Sequence, residues 1–211
     1  MIAPLGPAEE PAAAELLARA FHDQPLDRAV VGGGRRRRLR AARAGMRATL
    51  EAARGRADLR AARTGRLSGV LLALSPWVHP LPPPRASVQL RTLLLQGFRA
   101  AGRWREVWEA LDARHPPEPI FYLSLLGVAR DRQGRGIGSA LLADWLSDVD
   151  AAGQPAWLET SRARNLPFYR RFGFRVAEEI ALQGVPVWLM HRRARAAGVA
   201  AEAAGDARAG S

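Results

Sequence analysis

The sequence predicts a mixed α/β fold built on one central sheet, and three observations predict it. Apolar runs of strand length alternate with stretches of helical apolar spacing along most of the chain. Between residues 120 and 160 a strand, a glycine-rich turn and a helix lead straight into another strand, which implies a parallel pair with a crossover. Two further pairs of strands, 57–63 with 67–74 and 175–181 with 185–191, are joined by short turns.

Taken in order, residues 2–5 suit a very short first strand. Glu9 and Glu10 complement the positive end of a helix, and Pro11 fits its first turn. Ala13, Leu16, Leu17 and Ala20 then repeat at helical spacing up to Phe21, and His22-Asp23-Gln24-Pro25 closes the element. Gly32-Gly33-Gly34 is a break. Residues 35–54 read as a basic helix with Leu39, Ala42, Met46 and Leu50 on one face. The strands 57–63 and 67–74 turn at Thr64-Gly65, and the run Val70-Leu71-Leu72-Ala73-Leu74 suits a strand covered on both faces. Pro76, Pro80, Pro82, Pro83 and Pro84 form a stiff connection. Residues 87–114 return to helix, with Leu94, Phe98, Ala101, Trp108 and Leu111 near one stripe and Gly97 or Gly102 interrupting it. A strand at 120–128, a helix at 136–152, a strand at 156–160, a short helix at 166–172 and the last two strands, turning at Gln183-Gly184, complete the series. The expected organisation is a single domain over 1–193 with a helical insertion at about 87–114. A disordered tail rich in Ala, Gly and Arg is expected over 194–211.

Composition narrows the chemistry. With 211 residues, 48% of them hydrophobic, the chain can bury a core. It has no cysteine, which removes disulfides, thiolate metal sites and a cysteine nucleophile. It has no lysine either, so the net charge of +12 is carried by arginine and Schiff-base catalysis is excluded. No run reaches the ~18 apolar residues of a membrane span, and the acidic start, with Glu9 and Glu10, is unlike a secretory signal. A soluble, cytoplasmic protein without a membrane partner is expected. His22, Asp23, His79, His115 and His191 show no metal-ligand spacing, so no metal is expected.

The richest signal is Gln133-Gly134-Arg135-Gly136-Ile137-Gly138-Ser139, set between a strand and a helix. Glycine lets the backbone turn tightly and approach a ligand closely. The first amides of the helix lack internal acceptors and, with the positive end of the dipole, suit a pyrophosphate. Arg130, Arg132 and Arg135 add charge-assisted contacts. A P-loop would need a lysine, which is absent. A dinucleotide turn needs Gly-x-Gly-x-x-Gly, and Ser139 stands where its third glycine would be. A plain tight turn before a helix remains an alternative on this motif alone.

The segment Gln133-x-x-Gly136-x-Gly138 resembles the coenzyme A signature of the GCN5-related N-acetyltransferase (GNAT) superfamily. Tyr169, followed by Gly173-Phe174, resembles the second hallmark of that superfamily. The resemblance covers residues 118–191 and extends to Leu158-Glu159-Thr160-Ser161 and Asn165-Leu166-Pro167-Phe168-Tyr169. Within the superfamily it looks most like the small-molecule acetyltransferases around puromycin N-acetyltransferase. It implies a mixed, mostly antiparallel sheet with one splayed parallel pair, flanked by helices, and acetyl-CoA as co-substrate. By resemblance, Gln133, Gly134, Arg135, Gly136, Ile137, Gly138 and Ser139 hold the coenzyme, and Leu126, Val128 and Arg130 lie along the pantetheine arm. Tyr169 lies beside the coenzyme sulfur, and Asn165 is among the coenzyme-binding residues, with the alternative of a pure helix cap. The expected reaction is direct acetyl transfer to a primary amine of a small molecule in a ternary complex.

A phenol of pKa ~10 can protonate a thiolate whose thiol has a pKa of ~8.5, the role expected of Tyr169. The base departs from the family pattern, in which many members carry a glutamate on the strand before the turn; residues 120–128 hold no carboxylate. Glu159 is the best substitute, with a purely structural carboxylate as the alternative; Glu118, His79 and His115 rank below it. Phe21, Trp77, Phe98, Trp104, Trp108, Phe121 and Tyr122 are candidates for the acceptor pocket. A peptide acetyltransferase with an open groove is the competing enzyme class. A basic nucleic-acid-binding protein, read from Arg35-Arg36-Arg37-Arg38, is the competing non-enzyme class, but no recognition module accompanies the run. A monomer or homodimer is expected.

Overall fold

The computed structural model describes residues 1–195, so the expected tail lies outside the described residues from 196 onward. In chain order the elements are β1 (Ile2–Pro4), α1 (Glu10–Phe21), α2 (Pro25–Val31), α3 (Arg35–Ala53), β2 (Asp58–Arg63), β3 (Leu67–Leu74), α4 (Ala86–Gln96), α5 (Phe98–Asp112), β4 (Phe121–Val128), α6 (Ile137–Ala151), β5 (Ala156–Thr160), α7 (Leu166–Arg171), β6 (Arg175–Leu182) and β7 (Val185–Arg192). The seven strands form one sheet in the order β1-β2-β3-β4-β5-β7-β6. Every neighbouring pair is antiparallel except β4 with β5. This is the mixed, helix-flanked sheet that the sequence implies.

Two elements differ from expectation. Pro25 starts α2 rather than ending the region before it: at the first helical position its missing N–H is not needed. The stretch 87–114 breaks into two helices at Gly97, one of the two expected interruptions, which sits at φ 87, but its facing differs. The break also moves the buried seam. Ala100, Val107 and Leu111 are buried, whereas Leu94, Phe98 and Trp108 are exposed.

Both faces of the sheet are covered. Leu17, Leu50 and Val107 from α1, α3 and α5 pack with Val70, Leu72, Tyr122 and Trp157 on one face. Ile137, Leu141, Trp145 and Tyr169 from α6 and α7 pack with Leu71, Ala73, Leu123 and Leu158 on the other. The alternation of β3 between the two clusters explains its unbroken apolar run. No helix among the described residues is long and apolar enough to cross a membrane.

The centre of the sheet is where it comes apart. β4 and β5 pair only through Phe121, Tyr122 and Leu123 with Ala156, Trp157 and Leu158. Beyond that point β4 stays with β3 as far as Val128, and β5 stays with β7 as far as Thr160. A wedge therefore opens between them. At its vertex Leu72 faces Leu125 while Ala73 faces Leu123, which leaves Ser124 as an inserted residue. The bulge switches the alternation, so that Leu123 packs toward α6 and Leu125 toward α1.

Two glycines bring helices close to this region. A Cβ on Gly127 would lie 2.7 Å from Leu17 Cδ2 of α1, and one on Gly69 would lie 2.8 Å from both Ile137 Cγ2 and Leu141 Cδ1 of α6. Gly69→Val is expected to lower the unfolding free energy by ~1–3 kcal/mol, the usual cost of overpacking. Urea unfolding followed by circular dichroism checks this; an unchanged midpoint would mean that α6 does not seat tightly on β3.

Candidate active site

The turn after β4 begins with a short 3-10 segment, Arg130–Arg132, and leads into α6. Gly134 and Gly136 both take φ 77, a left-handed conformation that favours glycine. Gly138 has ordinary helical geometry, so the turn itself does not require it. The first bond of the helix runs from Ala140 N–H to Gly136 C=O. The amides of Ile137, Gly138 and Ser139 therefore have no helical acceptor. Arg135 is exposed beside them.

Other side chains of the turn are engaged elsewhere. Gln133 Nε2 donates to Val128 O at 3.2 Å and closes the end of β4. Arg130 donates to Arg19 O at 3.0 Å and pairs with Asp23 at 3.3 Å, so it faces the end of α1. Asp131 pairs with Arg66 and Arg132 and anchors the loop to the β2–β3 turn.

Tyr169 lies on α7 and is 8% exposed, against Phe168 and Phe174 at ring distances of 5.1 and 6.0 Å. Burial raises its pKa above the ordinary phenol value, so it stays protonated at neutral pH. Gly173, at φ 88, ends the segment. Arg192 of β7 then locks it: Nε donates to Phe172 O at 2.9 Å, and the two terminal nitrogens hold Asp150 of α6 at 2.6 and 2.8 Å. Asn165 stands at the N-cap of α7, but its side chain makes no capping hydrogen bond. Its Nδ2 donates instead to Thr160 Oγ1 at 3.2 Å, because a 3-10 turn, Ala163–Asn165, already precedes the helix.

Glu159 is the first residue of β5 beyond the paired part of the two strands. Its Oε2 accepts from Tyr122 Oη at 2.8 Å, and its Oε1 accepts from Trp157 Nε1 at 2.8 Å. Burial pushes its carboxyl up to about 7 against the lowering effect of these two donors. Such a group is half ionised at neutral pH and can both take and release a proton. Tyr122 is shielded in turn by burial and by its own bond to Glu159, both of which raise its pKa. Ser124, the bulge residue, lies near the same phenol and partly offsets that rise.

Behind Tyr122 stand His79 and His115, stacked at 4.1 Å, with their rings edge-on to it at 4.8 and 5.5 Å. His79 Nε2 and Asp112 Oδ1 lie 3.0 Å apart. Burial, and then the charge of His79, lower His115 to about 4, so it is neutral at pH 7. Glu159 thus shares the sheet face of α1 and α5 with Tyr122 and Trp157, while Tyr169 belongs to the opposite face. The two residues do not meet; the wedge lies between them.

The proposed pocket residues separate. Tyr122 joins Glu159, and Phe21 packs beside Gly127 on the same face. Phe121 packs on Trp145, on the α6 side. Trp77 is 78% exposed and Phe98 75% exposed, so neither lines the wedge; both sit in or next to the insertion, away from the two apolar clusters. Ser124 had no signal in the sequence, because a bulge leaves none. No group of three His, Asp or Glu side chains among the described residues is placed to hold a metal ion.

Comparison with known proteins bears on the fold. Residues 97–176 match the family described as an acetyltransferase (GNAT) domain. An uncharacterized N-acetyltransferase of Schizosaccharomyces pombe is 36% identical over 76 residues, a stretch that spans 34% of this chain and 31% of that protein. The crystal structure of a histone acetyltransferase HPA2 and related acetyltransferase from Corynebacterium glutamicum superposes with a TM-score of 0.66 at 20% identity, covering 94% of this chain and 98% of that one. The PaiA N-acetyltransferase of Thermoplasma acidophilum, in complex with coenzyme A, gives 0.56 at 12% identity, covering 92% and 98%. Likeness at these identities establishes the fold, and residues 97–176 are similar to the acetyltransferase (GNAT) domain.

Proposed function

We propose that the protein transfers an acetyl group directly from acetyl-CoA to the primary amine of a small molecule, within a ternary complex. The observation that carries this reading is the parting of β4 and β5, with a carboxyl near neutral pKa on one face and a buried phenol on the other. The unpaired edge of β4 beyond Ser124 offers backbone groups to the pantetheine arm. The free amides of Ile137, Gly138 and Ser139, with Arg135, suit the pyrophosphate. Acetyl-CoA supplies an activated acyl group on a thiol leaving group. Glu159 takes the proton from the ammonium of the acceptor, an N–H of β4 supports the oxyanion, and Tyr169 returns a proton to the departing sulfur. The lack of any cysteine closes the commonest route to an acetyl-enzyme and supports direct transfer. A small acceptor is favoured over a peptide because α5 packs on the face that holds Glu159.

The direct test is to incubate the protein with acetyl-CoA and a panel of amines and to follow free thiol. Release with at least one amine is expected, and Tyr169→Phe should cut turnover by about a hundredfold or more with little change in coenzyme affinity. Coenzyme binding without release for any amine would sink the transfer reading.

The pH dependence follows from Glu159. Its ionised form is the base, so kcat/KM should fall below pH 7, where the carboxyl pushed up to about 7 becomes protonated. Tyr122→Phe removes a donor that favours the carboxylate, so the limb should move to higher pH by about one unit. A limb that stays in place would show that another group titrates.

Gly138→Val probes the approach of the coenzyme. A Cβ there meets only Val128 Cγ2 at 3.5 Å and Phe168 at 3.9 Å, an ordinary fit. The variant should fold normally yet bind acetyl-CoA at least about tenfold more weakly, as measured by calorimetry; unchanged affinity would place the coenzyme elsewhere.

A further inference from the structure

One charged side chain near the wedge stands without a counter-charge. Arg162 follows β5 in a tightly held loop: its N–H donates to Thr160 Oγ1 at 3.3 Å, and its carbonyl accepts from Asn165 N–H at 2.9 Å. Its side chain is only partly exposed, and its Nε is buried with no hydrogen-bond partner among the described residues. No carboxylate among the described residues forms an ion pair with it. The two acidic side chains whose charge it feels, Asp23 and Asp27, do not neutralise it. Asp23 is already held by Arg38 at 2.8 Å and Arg130 at 3.3 Å. Asp27, on the first turn of α2, is pushed up to about 7 by burial and is charged only about half the time at neutral pH. Arg130 and Arg164 add to the positive field instead of relieving it.

A guanidinium drawn partly out of water, with arginines nearby and no ion pair of its own, is unfavourable unless an anion meets it. Arg162 lies three residues beyond Glu159, and the acidic groups whose charge it feels are Asp27 of α2 and Asp23 just after α1. These helices cover the face on which Glu159 accepts its hydrogen bonds. We infer that Arg162 binds an anionic group of the acceptor, so that the acceptor is an amine bearing a nearby carboxylate, of the amino-acid type. The planar fork of arginine matches a carboxylate with two parallel bonds and would satisfy the orphaned Nε. This inference rests on the acetyl-transfer reading and adds the chemical class of its acceptor.

The experiment uses the full-length protein at saturating acetyl-CoA, with the protein amino acids each matched against the amine left by its decarboxylation. For the pairs that react, kcat/KM should favour the carboxylated member by about tenfold or more. Arg162→Gln should erase that preference through KM, Arg162→Lys should keep part of it, and KM for acetyl-CoA should stay within about twofold, which also reports an intact fold. A wild-type protein that acetylates both members equally would overturn the inference while leaving acetyl transfer in place. So would a preference that survives Arg162→Gln. A rise in KM for acetyl-CoA would assign the guanidinium to a coenzyme phosphate and overturn it as well. Failure of every amine to release thiol would fall on the transfer reading itself, and with it on the acceptor assigned to Arg162.

Discussion

Two parallel strands that start together and do not stay together organise this protein. β4 and β5 share three residue pairs, and then each follows its antiparallel neighbour away from the other. Antiparallel pairing is the stronger partner for each strand, so the seam between them is the natural place for the sheet to open. Exposed backbone groups on β4 are the result. The Tyr122–Glu159 hydrogen bond, at 2.8 Å, crosses the seam just where the strands diverge. It fixes the vertex of the wedge and the orientation of the carboxyl together.

The surroundings keep that vertex rigid. Gly69 and Gly127 let α6 and α1 lie directly on the strands beside it. The Arg192–Asp150 pair, buried on the arginine side, couples the end of α7 to the end of α6. A buried pair of this kind is costly to break from one side, since it would leave a charge without compensation. Tyr169 is thereby held relative to the glycine turn by a contact that lies outside either motif.

Many of the arginines serve the same end. Arg43 with Glu15, Arg54 with Glu10 and Arg63 with Glu9 tie helices to one another or to the sheet. Arg60 gathers Asp58, Asp144 and Asp148 and so bridges β2 to α6. Even Arg38, in the run that suggests a nucleic-acid surface, is bound to Asp23 and to His22 O. Pairs at the surface contribute little each, but they remove these side chains from the pool of free cations. Arg162 stands out because, among the described residues, it is a partly buried arginine whose buried Nε has no hydrogen-bond partner.

The strands, most helices and the glycine turn were legible because their signals are local: apolar period, a glycine at positive φ, a proline in a first turn. Pro25 was misread because proline both ends and begins helices, and only the following residues, packed on α3 and α5, decide which. The helical insertion was misread in its facing, since one left-handed glycine at residue 97 turns the second half. Asn165 had the composition of a cap and not the geometry of one. By itself the sequence determined the order of elements, the turn with its free amides, and the identities of Tyr169 and Glu159. Only the tertiary structure decided that the phenol and the carboxyl lie on opposite faces of a parted sheet, that Ser124 bulges at the vertex, and that burial raises the Glu159 carboxyl to about 7 against the lowering effect of Tyr122 and Trp157. Those properties arise from pairing, burial and charge between residues far apart in the chain, and no local pattern encodes them.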